Sequence, residues 1–260
     1  MPLPQGVYFI NEAYYMERSG DMIPGVDEVD AVVNIPVLAW STPYEVLGGR
    51  FEAIVFTPQL GVGVNPGATN GSSLWARDFY NPAGLFGVAW DLGGGWSVSN
   101  FVGGFTPVDT FIGNYLGGNF WTFADLLGVA YATNGWVFSA NFIYLYSGED
   151  LDTGIRTQPS TLDVDFAAVK HVNNWQFGLI GSASTDISEA ARNNWGDDEY
   201  SQFSLGGLVG YTFGSVTTEV FATRSLAANN QTFGGKDTRI SARVTVPLFN
   251  PPAPAAAGMK

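Results

Sequence analysis

Few side chains of this chain could do covalent chemistry. His171 is the only histidine, and the sequence contains no cysteine. A serine hydrolase needs an imidazole base, so His171 is the single candidate, but no Gly-x-Ser-x-Gly motif accompanies it. It follows Lys170 at the expected end of a strand, where a lone histidine is ordinarily a surface residue. The sequence therefore predicts no catalytic residue, and a site built from several histidines is impossible.

Two acidic clusters could supply oxygen ligands for a cation. They are Glu149-Asp150-Leu151-Asp152 and Asp197-Asp198-Glu199. Neither has the ligand spacing and closing glutamate of a calcium-binding loop. Both fall between expected strands, where carboxylates keep a loop solvated. No metal and no cofactor is predicted.

The other polar residues recur at every second position of long segments, as in 136–146 and 214–224. A period of two indicates β-strands with one apolar and one mixed face. The expected strands are 6–17, 27–40, 50–62, 79–91, 95–105, 119–132, 135–147, 161–172, 174–185, 201–213, 215–225 and 237–249. Short connections such as Asn134-Gly135 follow the even-numbered strands, and longer ones such as 148–160 follow the odd-numbered strands. The connection after the second strand, 41–49, is the exception and is expected to be a longer loop.

The lengths of these strands indicate their environment. Strands in a β-sandwich average nearer five or six residues, whereas a tilted strand that crosses a bilayer needs about 9–11. Aromatic residues cluster at both ends of the expected strands, as interfacial girdles do. These are Trp40, Trp96, Trp136 and Trp175 at one end, and Tyr15, Phe79, Trp121 and Tyr146 at the other. We therefore predict an all-β fold, a transmembrane antiparallel up-and-down β-barrel of about 12 strands; a soluble sandwich is the alternative.

Composition limits the partners and the domain organisation. A net charge of −13 with only 11 Lys and Arg disfavours nucleic acid and acidic sugars. Residues 1–249 are expected to form one barrel, and the Pro/Ala-rich residues 250–260 a disordered tail. The start MPLPQGVYF lacks the basic and apolar regions of a signal peptide. The chain is thus expected to be a mature form with an added Met1; an intracellular protein is the competing interpretation.

The mixed faces of the strands are expected to line the lumen. The lining candidates are Glu12, Tyr14, Asp30, Asn34, Arg50, Glu52, Phe56, Phe101, Phe123, Asp125, Asn141, Asp163, Asp165, Gln176, Glu219, Arg239 and Arg243. A last hairpin that is symmetric about Gln231 would pair Glu219 with Arg243 and place Thr223 opposite Arg239. The pair is expected to neutralise charge inside the barrel, and the alternative is that it narrows the passage.

Several stretches resemble a family of proteobacterial outer-membrane channels named after the meta-pathway of phenol degradation. They include VNIPVLAW, DFYNPAGLFGVAWDLGGGWSVSNFVGGFTP, FSLGGLVGYTFGSVTTEVFATRSL and RISARVTVPLF. The resemblance extends over most of the chain and rests on strand and turn patterns, not on catalytic motifs. It implies a barrel of about twelve strands with a rather hydrophobic lumen and diffusive uptake of small hydrophobic molecules.

The resulting prediction is a passive diffusion channel in the bacterial outer membrane for small hydrophobic or aromatic molecules, and not an enzyme. Its expected partners are outer-membrane lipid, lipopolysaccharide and the solutes themselves. A structural or adhesive barrel with a plugged lumen is the first alternative. A barrel hydrolase that uses His171 is a weaker one.

Overall fold

A computed structural model describes residues 2–65, 74–112, 118–188 and 199–251. Its strands are β1 (Gly6–Met22), β2 (Glu28–Val46), β3 (Gly49–Phe56), β4 (Gln59–Asn65), β5 (Leu74–Phe79), β6 (Ala83–Gly93), β7 (Trp96–Phe105), β8 (Thr122–Thr133), β9 (Trp136–Ser147), β10 (Thr161–Val172), β11 (Trp175–Asp186), β12 (Ser201–Phe213), β13 (Val216–Asn229) and β14 (Gly234–Phe249). All pairings are antiparallel, and β1 pairs with both β14 and β2. The sheet therefore closes on itself. Within the described ranges, no helix is long and apolar enough to span a membrane.

The fourteen segments form twelve barrel strands. Both β3 and β4 pair with β2, and they are halves of one barrel strand that is interrupted at Thr57-Pro58. In the same way, β5 pairs with β4 and β6 pairs with β3, so β5 and β6 are halves of the next barrel strand. They are separated at residues 80–82, where Pro82 lies. Proline has no N–H to donate to a ladder, which explains a break at both places. The closed twelve-stranded barrel predicted from the sequence is confirmed.

The turns at one end of the barrel are tight. Asn134 and Gly135 have φ of 48° and 76°, the left-handed values of a two-residue type I′ hairpin, which Asn-Gly adopts readily. The opposite end has the longer connections, such as the one between β9 and β10. The alternation of short and long connections therefore follows the sequence prediction.

One connection was predicted wrongly. The segment 41–49 was expected to be a loop, but β2 continues to Val46 and turns at Leu47-Gly48. A register shift between Ser41 and Glu45 accommodates Pro43, and the Thr42 hydroxyl donates to the Phe51 carbonyl at 2.8 Å. A bulge of this kind lets a strand continue past a residue that lacks an N–H.

The outer face of the barrel is rich in exposed apolar rings. Trp40, Trp96, Trp136 and Trp175 are 39–50% exposed near the tight turns. Tyr15, Phe79, Trp121 and Tyr146 are 42–60% exposed toward the long connections. Two belts of amphipathic rings separated by an apolar band are the outer surface of a membrane-spanning barrel.

Part of the interior is packed like the core of a soluble protein. Leu85, Phe101 and Ala124 are 5%, 9% and 1% exposed, and contact half-buried apolar residues around them. The rings of Phe56 and Phe105 meet edge to face with centroids 5.5 Å apart. This cluster fills one side of the lumen. Of the expected tail 250–260, residues 252–260 lie outside the described residues.

Candidate functional site

The inner face can be followed around the barrel from the strand register, because directly paired residues of antiparallel strands point to the same side. Glu12 is paired with Arg243 and Arg243 with Glu219. From Glu219 the same row continues through Gly210 to Gln176. In the other direction, Glu12 is paired with Ile35 of β2.

Most of the predicted lining residues share this inner face. They are Glu12, Tyr14, Arg50, Glu52, Phe56, Phe101, Asn141, Asp163, Asp165, Gln176, Glu219, Arg239 and Arg243. They do not mix evenly. Phe56 and Phe101 belong to an apolar wall, which we define by Ile54, Phe56, Leu85, Phe101, Ala124 and Leu126. A polar wall faces it, defined by Glu12, Tyr14, Asn141, Asp163, Asp165, Gln176, Glu219, Arg239 and Arg243.

Four predicted lining residues lie on the outer face instead: Asp30, Asn34, Phe123 and Asp125. Phe123 and Asp125 lie on β8, which contributes to the apolar wall, and Asp30 and Asn34 lie on β2, whose inner face is also apolar. In β2 the inward residues are Val29, Ala31 and Val33, which are 5–7% exposed. The sequence analysis assumed that the mixed face of every strand lines the lumen. In these strands the apolar face points inward and the mixed face outward, so the four residues were assigned to the wrong side.

Three of these residues, Asp30, Asn34 and Asp125, form hydrogen bonds with other side chains of the outer face. The Asn11 amide donates to the Asn34 side-chain oxygen at 2.8 Å, and the Asn34 amide donates to the Gln59 side-chain oxygen at 3.3 Å. The Asn100 amide donates to the Asp125 carboxylate at 2.6 Å. The Tyr15 hydroxyl donates to Asp30. Such mutual bonds reduce the cost of polar groups in an apolar environment.

Arg243 is the centre of the charges on the polar wall. Its Nε lies 2.7 Å from Glu219 Oε2, and one of its terminal nitrogens lies 3.6 Å from Glu12 Oε2. The predicted pairing of Glu219 with Arg243 is confirmed, and Thr223 lies opposite Arg239 as expected. The sequence did not indicate that Glu12 joins the pair, because this contact depends on how β1 and β14 close the barrel.

A cavity of about 330 Å³ lies against the polar wall. Asp165 and Arg239 line it, together with the apolar side chains of Ile180, Leu208 and Phe221. The Arg239 guanidinium lies over the ring of Tyr14, 4.5 Å from its centroid. The volume is within the roughly 300–1,000 Å³ range of small-molecule pockets. The open space of the barrel thus combines charged groups with an apolar surface.

A second ion pair was missed by the sequence analysis. Arg18 Nε lies 2.6 Å from Asp237 Oδ1, and the two side chains are 14% and 7% exposed. The pair joins β1 to β14 near the long connections. Predicted strand 1 ended at residue 17, and the closing register of the first and last strands was not available from either strand alone.

The N-terminal residues occupy the opposite mouth. The Leu3 N–H and the Ser41 hydroxyl both donate to Glu52 Oε1 at 3.0 Å. The Ser41 hydroxyl also lies 2.9 Å from the Leu3 carbonyl, and the Tyr8 hydroxyl donates to the Pro4 carbonyl at 2.8 Å. Glu52 is 4% exposed. These contacts hold the chain start against the inner face at this end of the lumen.

The residues singled out for catalysis or cation binding do not converge. His171 is paired with Gln176 in β10–β11 and is exposed beside the tight turns. Asp150 accepts bonds from the Thr153 backbone and hydroxyl at 2.9 Å, which lowers the pKa of its carboxyl. Within the described ranges no group of acidic or histidine residues could hold a metal ion. Of the second acidic cluster, Asp197 and Asp198 lie outside the described residues.

The fold and its lumen define an outer-membrane-type β-barrel. The family model "Putative MetA-pathway of phenol degradation" matches residues 17–238. Since the match covers most of the sequence, the chain belongs to this family. No curated protein matches the chain.

Solved structures share the architecture at low sequence identity. The COG4313 outer membrane channel from Pseudomonas putida F1 aligns with a TM-score of 0.72 at 15% identity, over 94% of this chain and 96% of that one. The NanC porin aligns with a TM-score of 0.54 at 12% identity, and the alignment covers 92% of this chain and 100% of the porin. A mutant of the TodX monoaromatic hydrocarbon channel aligns with a TM-score of 0.53 at 11% identity, and the alignment covers 94% of this chain and 90% of that channel. These neighbours are channels and porins, and the likeness establishes the fold.

Proposed function

We propose that the protein is a passive diffusion channel of the outer membrane for small hydrophobic or aromatic molecules. The observation that carries the proposal is the cavity of about 330 Å³ inside the barrel, which has an apolar surface formed by Ile180, Leu208 and Phe221. Family membership and the TodX likeness support the same solute class. Transport down a gradient needs no cofactor, and selectivity arises from the width and lining of the lumen.

The inner-face candidates form the proposed passage, with Glu12, Asp165, Glu219, Arg239 and Arg243 along one side. The barrel strands are proposed to act as a single domain. A role as an enzyme is not proposed, because His171 lies at the mouth and apart from the cavity. The outward belts of aromatic residues suit lipid and lipopolysaccharide as the surrounding partners.

A plugged structural or adhesive barrel is the second candidate. It is favoured by the packed apolar wall and by the chain start, which lies in the mouth against Glu52 and Ser41. The two candidates differ in whether solute moves through the cavity.

A matched pair of variants separates these candidates. Ala167 lines the cavity, whereas its neighbour Ala168 is paired with Phe138 and Leu179, which are exposed on the outer face. Ala167→Trp should therefore fill the cavity, and Ala168→Trp should add an aromatic ring to the lipid-facing surface. Uptake of labelled toluene is measured in Gram-negative cells whose lipopolysaccharide layer slows direct permeation. Heat-modifiable migration in gels verifies assembly of each variant.

The channel proposal predicts toluene uptake well above that of cells without the barrel. Ala167→Trp should abolish this excess, and Ala168→Trp should retain it. An assembled wild-type barrel that gives no excess uptake of any monoaromatic compound would refute the channel and support the plugged barrel. Equal uptake by the two tryptophan variants would show that the solute does not use this cavity.

A further inference from the structure

We infer that the outer face of the barrel binds a phosphate group of lipopolysaccharide where β13 and β14 part, and that Arg224 and Lys236 supply the cations for it. The inference goes beyond solute transport, because these two side chains lie on the outside of the barrel. Three features carry it: a gap between the two strands, two cations that border the gap, and an apolar surface that ends just before them.

The gap lies at the end of the barrel with the long connections. The ladder between β13 and β14 ends at the pair Arg224–Thr238, although β13 continues to Asn229 and β14 begins at Gly234. Beyond this pair, β13 remains paired with β12, and β14 with β1. A cavity of about 410 Å³ lies where the two strands diverge. An unbroken ladder would close this space.

Arg224 and Lys236 lie close together at the gap. Because Arg224 is paired with Thr238, Lys236 is its diagonal neighbour, and the Cα atoms of such neighbours are about 7–8 Å apart in a regular ladder. The Lys236 ammonium crosses the gap and donates to the Leu226 carbonyl of β13 at 3.0 Å. The ammonium therefore lies on the strand that carries Arg224. Both side chains are exposed and border the same cavity.

Both cations retain donors for a ligand. Arg224 donates to the Thr238 hydroxyl, and Lys236 to the Leu226 carbonyl. A guanidinium has five N–H groups and an ammonium has three, so most of these donors are not used. In the described ranges, neither cation has a carboxylate within ion-pair distance. The two side chains can therefore hold one anion together.

Two carboxylates limit where that anion can lie. Asp21 is exposed and lines the cavity on the side of β1. Glu17 is paired with Thr238, and so lies two strands away from Arg224 in the same outward row. Both carboxylates repel an anion from β1. The ligand should therefore lie on the β13 side of the gap, beside Arg224.

The height of the two cations matches the headgroup layer of the outer leaflet. Outer-membrane barrels have their longer loops on the extracellular side, and the gap lies at that end. The outward residues that come before Arg224 and Thr238 are Ala222 and Ile240. Ile240 is 55% exposed and is paired with Tyr15 of the aromatic belt. The apolar band thus ends one outward position before the cations.

The chemistry of this layer indicates phosphate as the ligand. The lipid A headgroup of lipopolysaccharide carries phosphate groups, each of which has several acceptor oxygens. Arginine binds phosphate through two parallel hydrogen bonds, and lysine binds it as a point charge. The net charge of the chain is −13, so the protein as a whole repels an anionic lipid. Binding of lipid A therefore needs a local site such as Arg224 and Lys236.

The experiment measures binding of lipid A to the full-length barrel, refolded into detergent so that it carries no cellular lipid. Native mass spectrometry across a lipid titration gives the apparent Kd. Removal of the phosphates from lipid A should weaken binding by about tenfold or more. Arg224→Gln and Lys236→Gln should each weaken binding of intact lipid A by roughly tenfold, because each removes charged hydrogen bonds to phosphate. Arg224→Lys should retain part of the affinity, and Asp21→Asn should increase it.

Two control variants each remove an outward cation elsewhere. Arg77 lies on β5 over the ring of Trp75, which is 41% exposed. Lys170 is paired with Trp136 beside the tight turns. Arg77→Gln and Lys170→Gln should leave the Kd for lipid A within about twofold, because neither residue borders the gap. Heat-modifiable migration in gels verifies that each variant is folded.

Several results would overturn the inference. Lipid A might bind equally well without its phosphates, or the control variants could weaken binding as much as Arg224→Gln and Lys236→Gln. Equal binding of phosphatidylglycerol, with the same response to the variants, would show a site for any anionic lipid. Displacement of lipid A by an equal concentration of inorganic phosphate would show a site for the free ion. The channel proposal is tested separately, by solute uptake, and stands or falls without this site.

Discussion

Both walls of the lumen consist of strands with alternating residues, but the inward side chains pack together on one wall and border a cavity on the other. On the apolar wall, Leu85, Phe101 and Ala124 are buried against their neighbours and fill the space. On the polar wall, charged side chains leave a cavity beside them. The comparison teaches that one half of this barrel behaves as a folded core and the other half as the site. Stability should therefore depend on the first and solute selection on the second.

The largest effect on stability should come from a leucine of the apolar wall. Leu85 and Leu208 are almost equally buried, at 5% and 6% exposure, but Leu85 lies in the packed cluster and Leu208 borders the cavity. Leu85→Ala should lower the free energy of unfolding by about 3 kcal/mol, because it leaves a void among close-packed neighbours. Leu208→Ala should cost less and should increase uptake, because it enlarges existing space. Denaturant titration in detergent, with the uptake assay, checks both. Equal losses with unchanged uptake would remove the distinction between the walls.

The next-largest effect on stability should come from the Arg18–Asp237 ion pair, which joins the first and last strands of the barrel. Arg18→Met leaves the Asp237 carboxylate buried without its cation, so we expect a loss of about 2 kcal/mol. A second substitution, Asp237→Leu, should recover most of the loss by removing the remaining charge. Arg224→Met on the outer face is the matched control and should change the unfolding midpoint little. A loss for Arg18→Met that the double variant does not reduce would contradict this explanation.

A smaller effect on stability is expected at Arg243, whose side chain is 37% exposed. Solvent screens this pair, so Arg243→Gln should cost about 1 kcal/mol. The substitution frees Glu12 and Glu219 and should make the passage more selective for cations. Reversal potentials in planar bilayers under a salt gradient measure this change. The double variant Arg243→Gln, Glu219→Gln should return the reversal potential towards the wild-type value, which would support this explanation. An unchanged reversal potential in the single variant Arg243→Gln would refute it.

The smallest effect should come from the outer face. Asn34→Leu exchanges two side-chain hydrogen bonds, to Asn11 and Gln59, for contact with lipid, and should change stability by less than about 1 kcal/mol. Uptake and conductance should remain at wild-type values. Asn141→Leu, at the cavity, is the comparison and should alter uptake. If Asn34→Leu changed conductance as Asn141→Leu does, its assignment to the outer face would be wrong.

Strand positions were largely predictable because each strand of β9 to β14 has one apolar and one polar face. The same alternation placed Glu219 beside Arg243 once the turn near Gln231 was assumed to be symmetric. It did not place Asp30 and Asn34, since the apolar residues of β2 were assigned to lipid. Both lipid and a packed interior accept valine and alanine, so hydrophobicity alone does not distinguish them.

By itself, the sequence determined the approximate positions of the strands, most of the tight turns and the interfacial rings, because these depend on local alternation, on Asn-Gly geometry and on amphipathic side chains. Only the tertiary structure decided which face of β2 and β8 points inward, and that Arg18 meets Asp237. It also decided that Asp165 and Arg239 share one cavity. These contacts join strands that are distant in sequence, and their register follows from closure of the whole barrel.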